Sequence, residues 1–109
     1  MHVGVPVMHM AVELIVKAMV AISDDQFVVE RDGHNTPKII HDHANIAVIG
    51  AIDADKGKME LVGELRKAWI DLRYAEGTLM YEAEDKQNFD EIMTTLTEEF
   101  KRLSGLRML

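Results

Sequence analysis

Met59-Glu-Leu-Val-Gly-Glu-Leu-Arg-Lys-Ala-Trp-Ile-Asp-Leu-Arg-Tyr-Ala75 is the stretch on which the fold turns. Read with a period of 3.6, Leu61, Val62, Leu65, Ala68, Trp69, Leu72 and Ala75 share one arc. Glu60, Glu64, Lys67 and Asp71 fall opposite, and Gly77 suits the position after a helix end. The rival reading is a β-meander. Trp69 to Tyr74 alternates, Ala75-Glu-Gly77 is able to turn a hairpin, and Met59, Ile70 and Tyr74 lie off the helical stripe. The helix is the favoured reading.

Upstream, Asp53-Ala-Asp-Lys-Gly57 is a turn. Ala44 to Asp53 (ANIAVIGAID) is a near-continuous apolar run of strand length, the pattern of a central strand covered on both faces. Lys38 to His41 reads as a short edge strand beyond Pro37, which a central strand excludes. Asp32-Gly33 is a turn signal, and Gln26 to Arg31 (QFVVER) is β-branched and aromatic, hence a strand. The Ser23-Asp-Asp25 break ends a long apolar segment that opens at Pro6, a residue suited to a first helical turn. In that segment Met8, Val12, Ile15, Met19 and Ile22 recur at helical spacing, and Glu13 and Lys17 form an i,i+4 pair. His2 to Val5 reads as an edge strand.

Downstream, Thr78 to Ala83 (TLMYEA) reads as a strand. Asn88, with Glu91 three residues on, has capping-box spacing. Phe89, Ile92, Met93, Leu96, Phe100 and Leu103 then make a helical face that ends at Ser104-Gly105, with Leu106 placed to pack back on it. The expected order is strand, helix, strand, strand, helix, strand, helix. This is one α+β domain over residues 1–109, a ferredoxin-like βαββαβ sandwich with an extra C-terminal helix. The alternative keeps the N-terminal helix, an antiparallel β-meander and the C-terminal helix.

Composition narrows the function classes. The 109 residues carry 12 basic and 19 acidic side chains, a net charge of −7. Nucleic-acid binding draws its affinity from Lys and Arg on phosphates, so neither a nucleic-acid partner nor an anionic membrane is expected. The chain has no cysteine, which removes disulfides, thiolate nucleophiles and Cys-based zinc sites, and fits a cytoplasmic protein. Glu13 and Lys17 interrupt the apolar N-terminal stretch, so it is read as a buried helix of a soluble chain and not as a membrane span or secretory leader.

No motif specifies a reaction. Glycine-rich phosphate loops are absent, and the two serines, Ser23 and Ser104, sit at helix boundaries. Asp53 to Gly57 resembles part of a calcium loop, but Gly57 falls at the fifth position and not the sixth, so an acidic turn is the simpler reading. His41-Asp42-His43 is the most chemical-looking feature. On a strand its two imidazoles would share one side and offer two nitrogens to a zinc ion, with His34, Asp53 or Asp55 completing the site. A pH-sensitive contact is the milder reading of the same residues. Glu13, Glu60, Glu64 and Asp71 are expected on solvated faces.

The first helix is apolar nearly all round and the chain holds eight methionines, more apolar surface than one small sheet covers. The expected function is a non-enzymatic, homo-oligomeric assembly module, most simply a two-fold dimer. Met8, Val12, Ile15, Met19 and Trp69 are the expected contact residues. The alternatives are a small metal-binding protein or metal-dependent enzyme built on His41 and His43, and a regulatory domain that binds a small ligand.

Overall fold

A computed structural model describes residues 5–24, 33–71 and 83–105. They form five helices: α1 (Val5–Ser23), α2 (Thr36–Asp42), α3 (Ala47–Asp53), α4 (Lys56–Asp71) and α5 (Ala83–Ser104). No described residue is in a strand. The three long helices form the body: α1 packs on both α4 and α5, and these pack on each other. The short α2 and α3 pack together and bridge the long helices, α2 to α1 and α4, α3 to α4 and α5.

Each helix buries one stripe in a shared core. Met8, Val12, Val16, Met19 and Val20 come from α1, Ile39 and Ile40 from α2, Ile49 and Ile52 from α3, Leu61, Val62 and Leu65 from α4, and Ile92 and Leu96 from α5. Phe89, Met93 and Phe100 pack around it from α5. The helix starts and stops follow backbone accounting at helix ends. Asn35 caps α2 by accepting a bond from the Lys38 amide at 3.4 Å, with Pro37 in the first turn. Asp55 does the same for α4, accepting from the Lys58 amide at 3.2 Å. Gly105, at φ +70°, supplies the left-handed residue that follows α5.

The expected α+β ferredoxin-like sandwich is therefore overturned, and so is the β-meander over residues 59–71. The helical reading of 59–75 holds as far as Asp71, where the description ends. Lys38 to His41, expected as an edge strand, lies in α2, and the expected central strand from Ala44 to Asp53 is a turn followed by α3. The reason is physical. A seven-residue piece is under two helical turns, too short for its apolar pattern to separate a buried strand from a buried helix. Ile49 and Ile52, three apart, are the buried pair in α3, which is helical spacing. Gly50 lies close against the preceding turn: a Cβ there would sit 2.3 Å from the Ala44 carbonyl oxygen.

Helix α5 also starts earlier than expected. Asn88 is within it, and the first turn holds Glu84 and Asp85, whose charge suits the positive end of the helix dipole. The expected strand over 26–31, most of those over 2–5 and 78–83, and the residues Gly77 and Leu106 lie outside the described residues.

Candidate functional site

Glu13 stands near the middle of α1, and its side chain is 3% exposed. A carboxylate out of water needs partners, because desolvation disfavours its charge. Helical periodicity supplies two of them on its own face, His9 one turn before and Lys17 one turn after. Lys17 Nζ donates to Glu13 Oε2 at 3.3 Å. His9 Nε2 lies 3.3 Å from Glu13 Oε1 without the alignment of a hydrogen bond. The third partner comes from the α1–α2 connection. His34 Nδ1 is 2.9 Å from both Glu13 carboxylate oxygens, so it carries the proton and donates.

Trp69 of α4 joins the two imidazoles. Its ring stacks on His9 at 4.7 Å and 23°, and His34 leans against it at 4.9 Å and 55°. The site thus runs from a fully buried imidazole, His9, through a buried carboxylate to a half-exposed imidazole, His34. Burial raises the Glu13 pKa, but the hydrogen bonds from His34 and Lys17 and the nearby positive charge outweigh it and hold the carboxyl below its ordinary value. Burial lowers the His9 pKa, aided by repulsion from His34 and Arg66 and only partly opposed by Glu13. At neutral pH the interior therefore holds a carboxylate beside a neutral imidazole. Among the described residues, the buried polar atoms His9 Nε2, Thr36 Oγ1 and Arg66 Nε make no hydrogen bond.

The expected metal ligands do not converge. His41 is largely exposed, with Nδ1 3.3 Å from Asp53 Oδ1. His43 Nδ1 bonds the Ile39 carbonyl at 2.9 Å within its own turn, and His34 is committed to Glu13. Residues two apart on a helix point about 200° apart, so the same-side geometry that a strand would give His41 and His43 is not available. Among the described residues no group of three or more His, Asp or Glu is arranged to hold a metal ion. Of the expected contact residues, Met8, Val12 and Met19 lie in the core, Ile15 packs on it, and Trp69 is half-buried against the imidazoles.

Sequence reasoning assigned Glu13 to a solvated face and gave His9 and Thr36 no role. A signal was present: a carboxylate in a helix apolar nearly all round, with His and Lys one turn either side, has little water to face and must be paired.

Fold and site together define a small chain, all-α among the described residues, with a buried carboxylate–imidazole cluster. No family model, curated protein or solved structure matches it. No helix among the described residues is long and apolar enough to cross a membrane.

Proposed function

We propose that the chain is a helical assembly module that pairs with a second copy of itself along the outer side of α1. One observation carries the reading. Val7 and Leu14 are 61% and 62% exposed on a helix whose other side is the core. With the half-buried Ala11 and Ala18 and the exposed Ala21 they form a stripe with spacings of four, three, four and three, the seam pattern of paired helices. No charged residue falls on it.

The stripe suits a second copy in particular. Leu14 is the central residue of α1 (Val5–Ser23). A two-fold axis through it would run the paired helices antiparallel, with Val7 of each over the small Ala21 of the other and the Ala11 and Ala18 positions together at the flanks. Large then faces small along the seam, which is what a self-complementary contact requires. The residues expected from sequence at this contact, Met8, Val12 and Met19, serve the chain's own core, so the proposed seam lies on the opposite side of the same helix.

Size-exclusion chromatography with light scattering tests the reading. A dimer at tens of micromolar is expected, with Leu14→Glu, at an exposed position, shifting it to a monomer without changing its helical circular dichroism. A wild-type monomer across that range, or a dimer indifferent to Leu14→Glu and Val7→Lys, would overturn it.

A further inference from the structure

The geometry assigns His34 as a nucleophilic imidazole that takes a phosphoryl group on Nε2, with Glu13 as its positioning residue. The pairing is one-sided. His34 Nδ1 donates to both oxygens of a carboxylate that is 3% exposed, while the imidazole itself is 54% exposed. With its Nδ1 edge turned inward, the ring presents the other edge, and Nε2 with it, to water. No described residue bonds Nε2. Trp69 rests against the ring at 4.9 Å and limits its rotation.

A carboxylate that accepts the Nδ1 proton fixes the tautomer and leaves the lone pair on Nε2. It also stabilises the positive charge that the ring takes on when Nε2 forms a bond, as an orienting carboxylate does for a histidine base. The other described imidazoles lack this combination. His41 is 76% exposed, but its Nδ1 lies 3.3 Å from one oxygen of the partly exposed Asp53, where water weakens the attraction. His43 Nδ1 bonds a neutral carbonyl, that of Ile39. His9 is fully buried.

The surroundings select the electrophile. Lys17 and Arg66 are the permanent cations acting on the His9–Glu13 pair, and no second carboxylate is among the principal charges there. Arg66 precedes Trp69 by three residues on α4, so the two share a helix face. Its buried Nε makes no hydrogen bond. In a chain of net charge −7 this is a locally positive corner. A guanidinium suits phosphoryl oxygens, whereas a neutral acyl group gains nothing from either cation.

The donor is a small phosphoramidate or acyl phosphate. The Nε2 lone pair forms a bond to phosphorus as the bond from phosphorus to the leaving group breaks. The electron pair departs with that group, as ammonia or as a carboxylate. The Nδ1 proton stays on the ring, and Glu13 balances the imidazolium that results.

Full-length protein treated with potassium phosphoramidate at pH 7.5, then mapped by mass spectrometry under alkaline conditions, tests the assignment. His34 should be modified about tenfold faster than His41 in the same molecule, the effect of one charge-assisted bond to a buried partner. Folded Glu13→Gln should remove that advantage and leave the His41 rate unchanged. Arg66→Gln should slow phosphorylation of His34 several-fold while its acetylation by neutral p-nitrophenyl acetate is unaltered. Nitrogen chemical shifts of wild-type His34, which need no variant, should show the proton on Nδ1 and a bare Nε2. Equal rates at His34 and His41, an undiminished His34 rate in folded Glu13→Gln, or the opposite tautomer would overturn the assignment. So would acetylation of His34 without phosphorylation. These readouts lie within one subunit and are independent of the oligomeric state measured for α1.

Discussion

The two sides on which α1 meets its long neighbours are built differently. Toward α5 the contact is apolar: Ile92 and Leu96 are fully buried in the common core, with Phe89, Met93 and Phe100 around them. Toward α4 the apolar residues Leu61, Val62 and Leu65 are joined by a polar patch in which His9, Glu13, Arg66 and Trp69 meet. The α5 side has no direction to satisfy and no proton to exchange. The α4 side has both, and retains unbonded polar atoms at His9 and Arg66. Cohesion and chemistry are thus separated on a single helix. The α5 contact stabilises without regard to solution conditions, and the α4 contact ties stability to pH.

The largest expected effect breaks the apolar side. Leu96→Ala removes a fully buried side chain and should destabilise the fold by about 2–5 kcal/mol, transfer and cavity terms together. Urea unfolding at pH 7.5 and at pH 5.5 checks it. The difference from wild type should be the same at both values. A pH-dependent difference would show that the two sides of α1 are coupled, and the separation drawn above would fail.

Glu13→Gln tests the polar side. The substitution keeps the shape and one acceptor, removes the charge, and leaves His34 and Lys17 facing a neutral amide. A loss of about 2 kcal/mol at pH 7.5 is expected for a buried charge-assisted network. Its pH dependence has a definite sign. The folded Glu13 carboxyl titrates below its ordinary value of 4.5, so its stabilisation is present above 4.5 and is lost as pH falls through the folded value. The gap between wild type and Glu13→Gln should therefore close in that acid range. A gap that widens on acidification would mean that the carboxylate is strained in place, not stabilised.

The same contrast explains what was legible in the sequence. The α5 face could be read for Phe89, Ile92, Met93, Leu96 and Phe100, which repeat a helical period over several turns with nothing competing, whereas Leu103, expected on the same face, is exposed in the last turn of the helix. For α4, Leu61, Val62 and Leu65 outvoted the alternation of Trp69 to Tyr74 for the same reason. The short helices were misread because Ile39-Ile40 and Ala47 to Asp53 offer too few turns for period to decide. Pro37, taken to exclude a central strand, equally marks a helix start. That error propagated to the site: with Lys38 to His41 taken as extended, His41 and His43 were expected on one side, which α2 does not allow. The cluster at Glu13 was legible only in part. The His9, Glu13 and Lys17 spacing was visible, but His34 arrives from 21 residues away in sequence, and Trp69 from a different helix. Such contacts depend on how helices are placed, which no local pattern encodes.

The smallest expected effect supplies the baseline for both sides. Lys86 and Asp90 form an i,i+4 pair at 2.7 Å on α5, where both side chains are more than half exposed. Lys86→Ala should change stability by no more than about 0.5 kcal/mol, since water already solvates both charges and ordering two long side chains offsets most of the attraction. The measurement is urea unfolding at low and at high salt, with salt expected to erase whatever difference exists. The Glu13 network, screened from water by the helices around it, should keep most of its contribution under the same salt. If Lys86→Ala and Glu13→Gln responded alike, burial would not be what distinguishes the α4 side, and the polar patch would be an ordinary surface pair that happens to lie between helices.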